Sequence, residues 1–114
     1  MSSCIFCKIV SREVKSEVVF ENDKFVVFKD LNPQAPVHFL LVPKEHIESV
    51  NDVNESNEKF LEGVFSTIKK VAEKFGFDKS GYRIVVNTGP DSGQEVKHIH
   101  FHILAGRKFS WPAG

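Results

Sequence analysis

His98-Ile99-His100-Phe101-His102-Ile103-Leu104 sets three histidines at strict alternation with apolar residues. The chain contains five histidines in all, so three within five consecutive positions is a concentration that composition does not explain. A β-strand sends alternate side chains to opposite faces. On that reading His98, His100 and His102 line one face, while Ile99, Phe101 and Ile103 enter a core on the other. Three imidazoles on one surface, each ordinarily titrating near neutrality, suit metal binding or nucleophilic and acid/base chemistry. They point to an enzyme. A solvent-facing strand that merely carries histidine is the plain alternative, although such faces normally mix Lys, Glu, Thr and Ser. A three-histidine zinc centre keeping an open position for water is the other competitor.

Outward from this stretch the chain divides into short β-type runs and one helical pattern. Val18-Val19-Phe20 and Phe25-Val26-Val27-Phe28 flank the polar turn Glu21-Asn22-Asp23-Lys24, a hairpin signal. Val37 to Val42 reads as a third strand between Pro36 and Pro43. From Phe60 the period changes: Phe60, Leu61, Val64, Phe65, Ile68, Val71, Ala72 and Phe75 recur at three and four residues. This predicts an amphipathic helix from Phe60 to Phe75. Asn54, Ser56 or Asn57 could cap its start, and Gly76 suits its exit. Arg83 to Asn87 is a further strand ahead of the histidine strand, and Phe6 to Val10 forms a short helix at the front. The expected class is α+β: an antiparallel sheet with one long helix and a short N-terminal one. No repeat or linker divides residues 1–114, which are expected to form one domain.

Fifteen basic and fifteen acidic residues cancel. No Lys/Arg run gives the footprint of a nucleic-acid binder, and no apolar run approaches the ~20 residues of a membrane span. Met1-Ser2-Ser3-Cys4 lacks the basic and apolar regions of a signal peptide. The expected location is cytoplasmic, with the nucleus open to so small a chain. Two cysteines in a reducing compartment do not form a disulfide framework.

Two further segments carry chemistry. Cys4-Ile5-Phe6-Cys7 has the spacing of a chelating pair for zinc; two ordinary reduced cysteines are the alternative, and no strand precedes the motif as a thioredoxin-like site requires. Gly89 to Val96, directly before the histidines, is a glycine-containing loop whose N–H groups can converge on an anion, or an ordinary connection.

The full set of motifs resembles the histidine-triad (HIT) family. The resemblance rests on His98 to Leu104, on Asp30-Leu31-Asn32-Pro33-Gln34-Ala35-Pro36-Val37-His38-Phe39, and on Val42-Pro43-Lys44-Glu45-His46. It extends to Asn87-Thr88-Gly89, Gly93-Gln94-Glu95-Val96 and Ser110-Trp111-Pro112-Ala113-Gly114. In order and coverage the chain is similar to the purine nucleoside phosphoramidase branch. Lys97 stands where an aromatic residue is common and Glu95 where some members have serine, and either bears on leaving-group preference.

The resemblance implies a HIT-like fold and a hydrolase that splits adenosine 5′-phosphoramidates or acyl and aminoacyl adenylates to AMP. It makes His100 the nucleophile on phosphorus, a covalent route that water completes. His102 then bonds a phosphoryl oxygen or steers the proton, and His38 orients the triad or is simply a satisfied core histidine. Asp30 becomes the ribose anchor, Phe6, Phe28 and Leu31 the base pocket, and Asn87, Gly93, Gln94, Glu95 and Val96 the phosphate cradle. Structural zinc falls to Cys4, Cys7, His46 and His98, and the partners implied are purine nucleotides (AMP or GMP conjugates) and a second copy in a homodimer, with Trp111 reaching toward the partner's site. A diadenosine-polyphosphate hydrolase and a nucleotide-sensing protein with little catalytic role are the alternatives. A nucleotidyltransferase fits less well, because that branch carries glutamine where this chain has His102.

Overall fold

Burial is nearly continuous along β2 (Phe25–Lys29), β3 (Val37–Pro43) and β5 (Phe101–Ala105), because both faces of the one sheet they form are covered. The computed structural model describes residues 3–114; Met1 and Ser2, with which the expected domain begins, lie outside them. The sheet is antiparallel with five strands in the order β1-β2-β3-β5-β4, where β1 is Val18–Glu21 and β4 is Tyr82–Val85. The class is α+β, as expected.

One face packs against α2 (Val64–Phe75) and buries Phe25, Val27, Phe39, Leu41, Phe101 and Ile103 with Ile68 and Val71. The other face carries Val26, Phe28, Leu40 and Val42, covered in part by Phe6 and Ile9 of α1 (Ile5–Val10). His38 and His102 belong to this second face, and Leu40 is paired directly with His102. A one-residue register slip would exchange the faces and bury the imidazoles under α2.

Three expected boundaries move: the start of the long helix, the start of the histidine strand, and the end of the strand expected over Arg83 to Asn87, which runs Tyr82–Val85. The α-helix begins at Val64, not Phe60, because Gly63 at φ 83° interrupts the helical path and its carbonyl accepts from the Thr67 hydroxyl at 2.8 Å. Phe60 falls in a separate 3-10 turn, Glu58–Leu61. The candidate caps serve the preceding loop instead: the Asn54 and Ser56 amides donate to Asn57 Oδ1 and Asn54 Oδ1. Gly76 is the exit, at φ 77°.

The histidine strand is also shorter than expected. Its ladder starts at Phe101, and His98–His100 run beside the sheet unpaired. The Ile99 amide donates to the Ile47 carbonyl at 2.6 Å. The His98 carbonyl, which a ladder would use between strands, instead accepts from the ring of His100. Alternation survives without the ladder, since Ile99, Phe101 and Ile103 all reach the α2-side core.

Candidate active site

The three histidines facing the α1 side differ in what fixes each ring. The Gln34 amide donates to His38 Nδ1 at 3.0 Å, so the proton of neutral His38 resides on Nε2. That Nε2 lies 2.9 Å from His102 Nδ1 and 3.4 Å from Asp30 Oδ2. His38 therefore donates to His102 Nδ1, which leaves the N–H of His102 on Nε2. The His100 ring follows a different rule. Its Nδ1 is 2.8 Å from the His98 carbonyl, which can only accept. Nε2 of His100 is consequently the unprotonated nitrogen, with its lone pair available. Backbone groups thus set a bare ring nitrogen and a ring N–H side by side, their ring centroids 5.1 Å apart.

Burial keeps His38 and His102 neutral. It pushes His102 down to about 4, with the neighbouring His100 and His38 rings adding to the effect and the Asp30 carboxylate opposing it. Burial also holds His38 below the ordinary imidazole value, again opposed by Asp30. His102 is a neutral donor at pH 7, not an imidazolium.

These residues open into a cavity of about 460 Å³, of the size that takes a small organic ligand. The structure brings Phe6, Phe28, Asp30, Leu31, His38, Asn87, Gly93, Glu95, Val96, His100 and His102 to its wall. Phe6 meets Phe28 and His100 edge-on, at 5.6 and 5.0 Å between centroids. Leu31 is 98 % exposed, so it forms an open lip and not a buried wall. Gln94 is the exception: its side chain holds the loop together, accepting from the Gly89 amide and donating to the Glu48 and Val96 carbonyls. Asp30 Oδ1 accepts from the Asn32 amide at 2.8 Å, which aims the carboxylate.

Several wall residues were not singled out from sequence. Gln34 acts through its backbone amide, which carries no residue-type signal. Asn32 accompanies it in the same turn. Lys15 and Ser16 arrive from the segment before β1 and became legible only with the strand order.

Cys4, Cys7, His46 and His98 form a second cluster behind the first, with candidate ligand atoms all within 4.8 Å of one another. His98 Nε2 is 2.9 Å from the Pro43 carbonyl, so its proton lies there and Nδ1 is bare. Burial is the main cause that brings His98 down to about 4. That Nδ1 lies 3.4 Å from Cys4 Sγ and 3.5 Å from Cys7 Sγ, and His46 Nδ1 lies 3.2 Å from Cys7 Sγ. Zinc–sulfur and zinc–nitrogen bonds at the tetrahedral angle require sulfur–nitrogen edges of about 3.5 Å. Chemistry and spacing fit a closed zinc site. Asp30, His38 and His102 also cluster closely enough for a metal, but the Gln34 amide keeps the His38 proton on the nitrogen that would have to coordinate. They do not fit.

Fold and site together define an α+β protein that sets a bare ring nitrogen of one imidazole beside the N–H of another at the wall of an open cavity. The HIT domain model matches residues 11–109, and the chain belongs to the HIT family. It is 44 % identical over 103 residues to the purine nucleoside phosphoramidase of Escherichia coli K12, covering 90 % of this chain and 87 % of that one. An uncharacterized HIT-like protein of Synechococcus elongatus is 42 % identical over 110 residues, 96 % of each chain. Among solved structures, a HIT family hydrolase from Legionella pneumophila Philadelphia 1 superposes with a TM-score of 0.94 at 45 % identity, covering 98 % of this chain and 100 % of that one. A histidine triad protein from Clostridium difficile gives 0.92 at 45 %, with 96 % of each covered.

Proposed function

We propose that this HIT-family hydrolase cleaves purine nucleoside 5′-phosphoramidates, adenosine 5′-phosphoramidates among them, and acyl or aminoacyl adenylates, to the nucleoside monophosphate. The observation that carries the reading is the bare Nε2 of His100 beside the Nε2–H of His102. The His100 lone pair attacks the α-phosphorus and forms a nitrogen–phosphorus bond as the bond to the leaving amine breaks. The amine leaves with a proton taken from water at the open mouth of the cavity. Positive charge then developing on the His100 ring is met by the His98 carbonyl at Nδ1. His102 donates to a phosphoryl oxygen. As a neutral ring it has no surplus proton to give up, so it stabilises the transferring group rather than acting as an acid. Water next attacks the phosphorus, passing a proton to the hydroxide left by the first step, releases the monophosphate and returns the lone pair to His100. Asp30 accepts from the ribose hydroxyls, and Phe6 and Phe28 flank the base.

Zinc fits Cys4, Cys7, His46 and His98. Four protein ligands leave no place for substrate, so the ion would supply rigidity alone, tying α1 to the segment that carries His100. A reduced cysteine pair positioned for a metal suits a reducing, cytoplasmic compartment.

The protein also acts as a homodimer in this reading. Phe65 and Phe75 on α2 are 66 % and 42 % exposed, Trp111 is 83 % exposed, and β4 is an edge of the sheet. Light scattering that returned a monomer at micromolar concentration would end that part of the proposal.

The functional reading is tested with a panel of adenylated amines, acyl adenylates and dinucleotides, with product identified by mass spectrometry. Fast release of AMP from the amines and acyl compounds is expected. Turnover confined to dinucleotides, or nucleotide binding without turnover of anything, would replace the reading.

A further inference from the structure

The cavity crosses the sheet in one direction. His100 and His102 come from β5 and its approach, Leu40 from β3, Phe28 and Asp30 from β2 and its end, and Lys15 from the segment leading into β1. Since these strands are neighbours in that order, three inter-strand steps separate the histidines from Lys15, about 14 Å at ordinary spacing. A nucleotide with phosphorus at His100 and ribose at Asp30, the reading on which this inference rests, places its base at the β1 end.

The walls there are mostly apolar: Phe6, Ile9, Val14 and Phe28 offer shape but no hydrogen bonds. The cations nearby are mostly engaged. Lys29 pairs with Glu17 at 2.7 Å, and Arg12 pairs with Glu21. Lys15 makes no ion pair among the described residues, and it lines the cavity. An ammonium carries three donors and no acceptor. A base that presents two adjacent acceptors therefore suits it, as guanine does with O6 and N7. Adenine offers N7 beside the N6 amino group, itself a donor, which an ammonium opposes.

From this placement we propose that Lys15 reads the base, so that conjugates of 6-oxopurine nucleotides (guanine or hypoxanthine) are preferred over the corresponding adenine compounds. The sugar, the phosphorus and the histidine chemistry are common to both. Selection is therefore expressed in KM, while kcat stays nearly the same.

The experiment compares kcat/KM for guanosine and adenosine 5′-phosphoramidates of one amine, with calorimetric affinities for GMP, IMP and AMP. The expected preference is about five- to tenfold, the low end for a specific base contact because the ammonium is solvent-exposed. IMP should follow GMP, since it keeps O6 and N7 and lacks the 2-amino group. Lys15→Met should bring the ratio close to one, and Lys15→Arg should preserve the preference. Equal kcat/KM values for the two bases, or a preference that survives Lys15→Met, would overturn this inference and leave the hydrolase intact. Absence of both turnover and monophosphate binding would instead remove the functional reading and this one with it.

Discussion

His38 Nε2 stands 2.9 Å from His102 Nδ1, and the Gln34 amide on the far side of the His38 ring decides the direction of that hydrogen bond. A main-chain N–H two rings away thus selects which nitrogen of His102 carries the proton. Nitrogen-15 spectra at pH 7 should show the Nε2–H form for His38 and His102 and the Nδ1–H form for His100. A His102 proton on Nδ1 would mean that the relay runs the other way and that His102 cannot donate to phosphate.

The depressed values of His38, His98 and His102 make a statement about stability. Above the ordinary value of 6.5 these rings are neutral in both folded and unfolded chains. Between 6.5 and about 4 the unfolded chain takes up protons that folded His98 and His102 do not. Stability is thus fully present above pH 6.5 and is lost as pH falls toward 4, by about 1.4 kcal/mol per pH unit for each such ring. Urea midpoints of the metal-depleted protein should decline steadily from pH 7 to 4.5. A flat profile would show that these rings protonate within the fold.

Replacing His100 with alanine removes the proposed nucleophile and leaves the rest of the cavity wall in place. Turnover should fall by at least about a thousandfold, while AMP affinity changes by less than about tenfold. Near-normal turnover, or a trapped nucleotide on another residue, would assign the attack elsewhere.

A Cβ placed on Gly106 would lie 2.7 Å from Pro36 Cβ, and the backbone there has φ 93°. Nothing at this position touches the cavity, yet it clamps the exit of β5 against the start of β3. Gly106→Ala should cost about 2–4 kcal/mol, the sum of overpacking and an unfavourable φ. Thermal unfolding checks this, and a loss within experimental error would show that Pro36 moves aside freely.

Protein purified without chelator should contain about one zinc per chain. Its removal should lower the melting temperature, because an ion bound only by the folded state stabilises it by mass action. Turnover should persist wherever the apoprotein stays folded. A folded Cys4→Ser variant with no activity would place the metal in the mechanism.

The alternation around His100 exposed the histidine segment and its two faces, because side-chain period is written in residue type, whereas Phe6, Phe28, Asp30 and the loop before the histidines were named through the resemblance to the HIT family. What stayed hidden depends on backbone groups. The shortened ladder before Phe101 follows from a carbonyl captured by a ring, and the delayed start of α2 from the left-handed backbone at Gly63. The Gln34 amide would act the same way from almost any residue but proline. Lys15 was hidden for another reason: only the strand order brings the segment before β1 to the cavity. Asp30, by contrast, was read from its motif and found near His38.

Phe6 lies edge-on to His98 at 5.9 Å and to His100 at 5.0 Å, on a helix of six residues whose N-cap is Cys4. So short a helix has little stability of its own. A ligand held at the cysteine end and a nucleotide lying against Phe6 would therefore order the same segment, and each would find it already ordered by the other. The two should bind cooperatively, each raising the other's affinity by the same factor, and slowed amide exchange across Ile5–Val10 would report both.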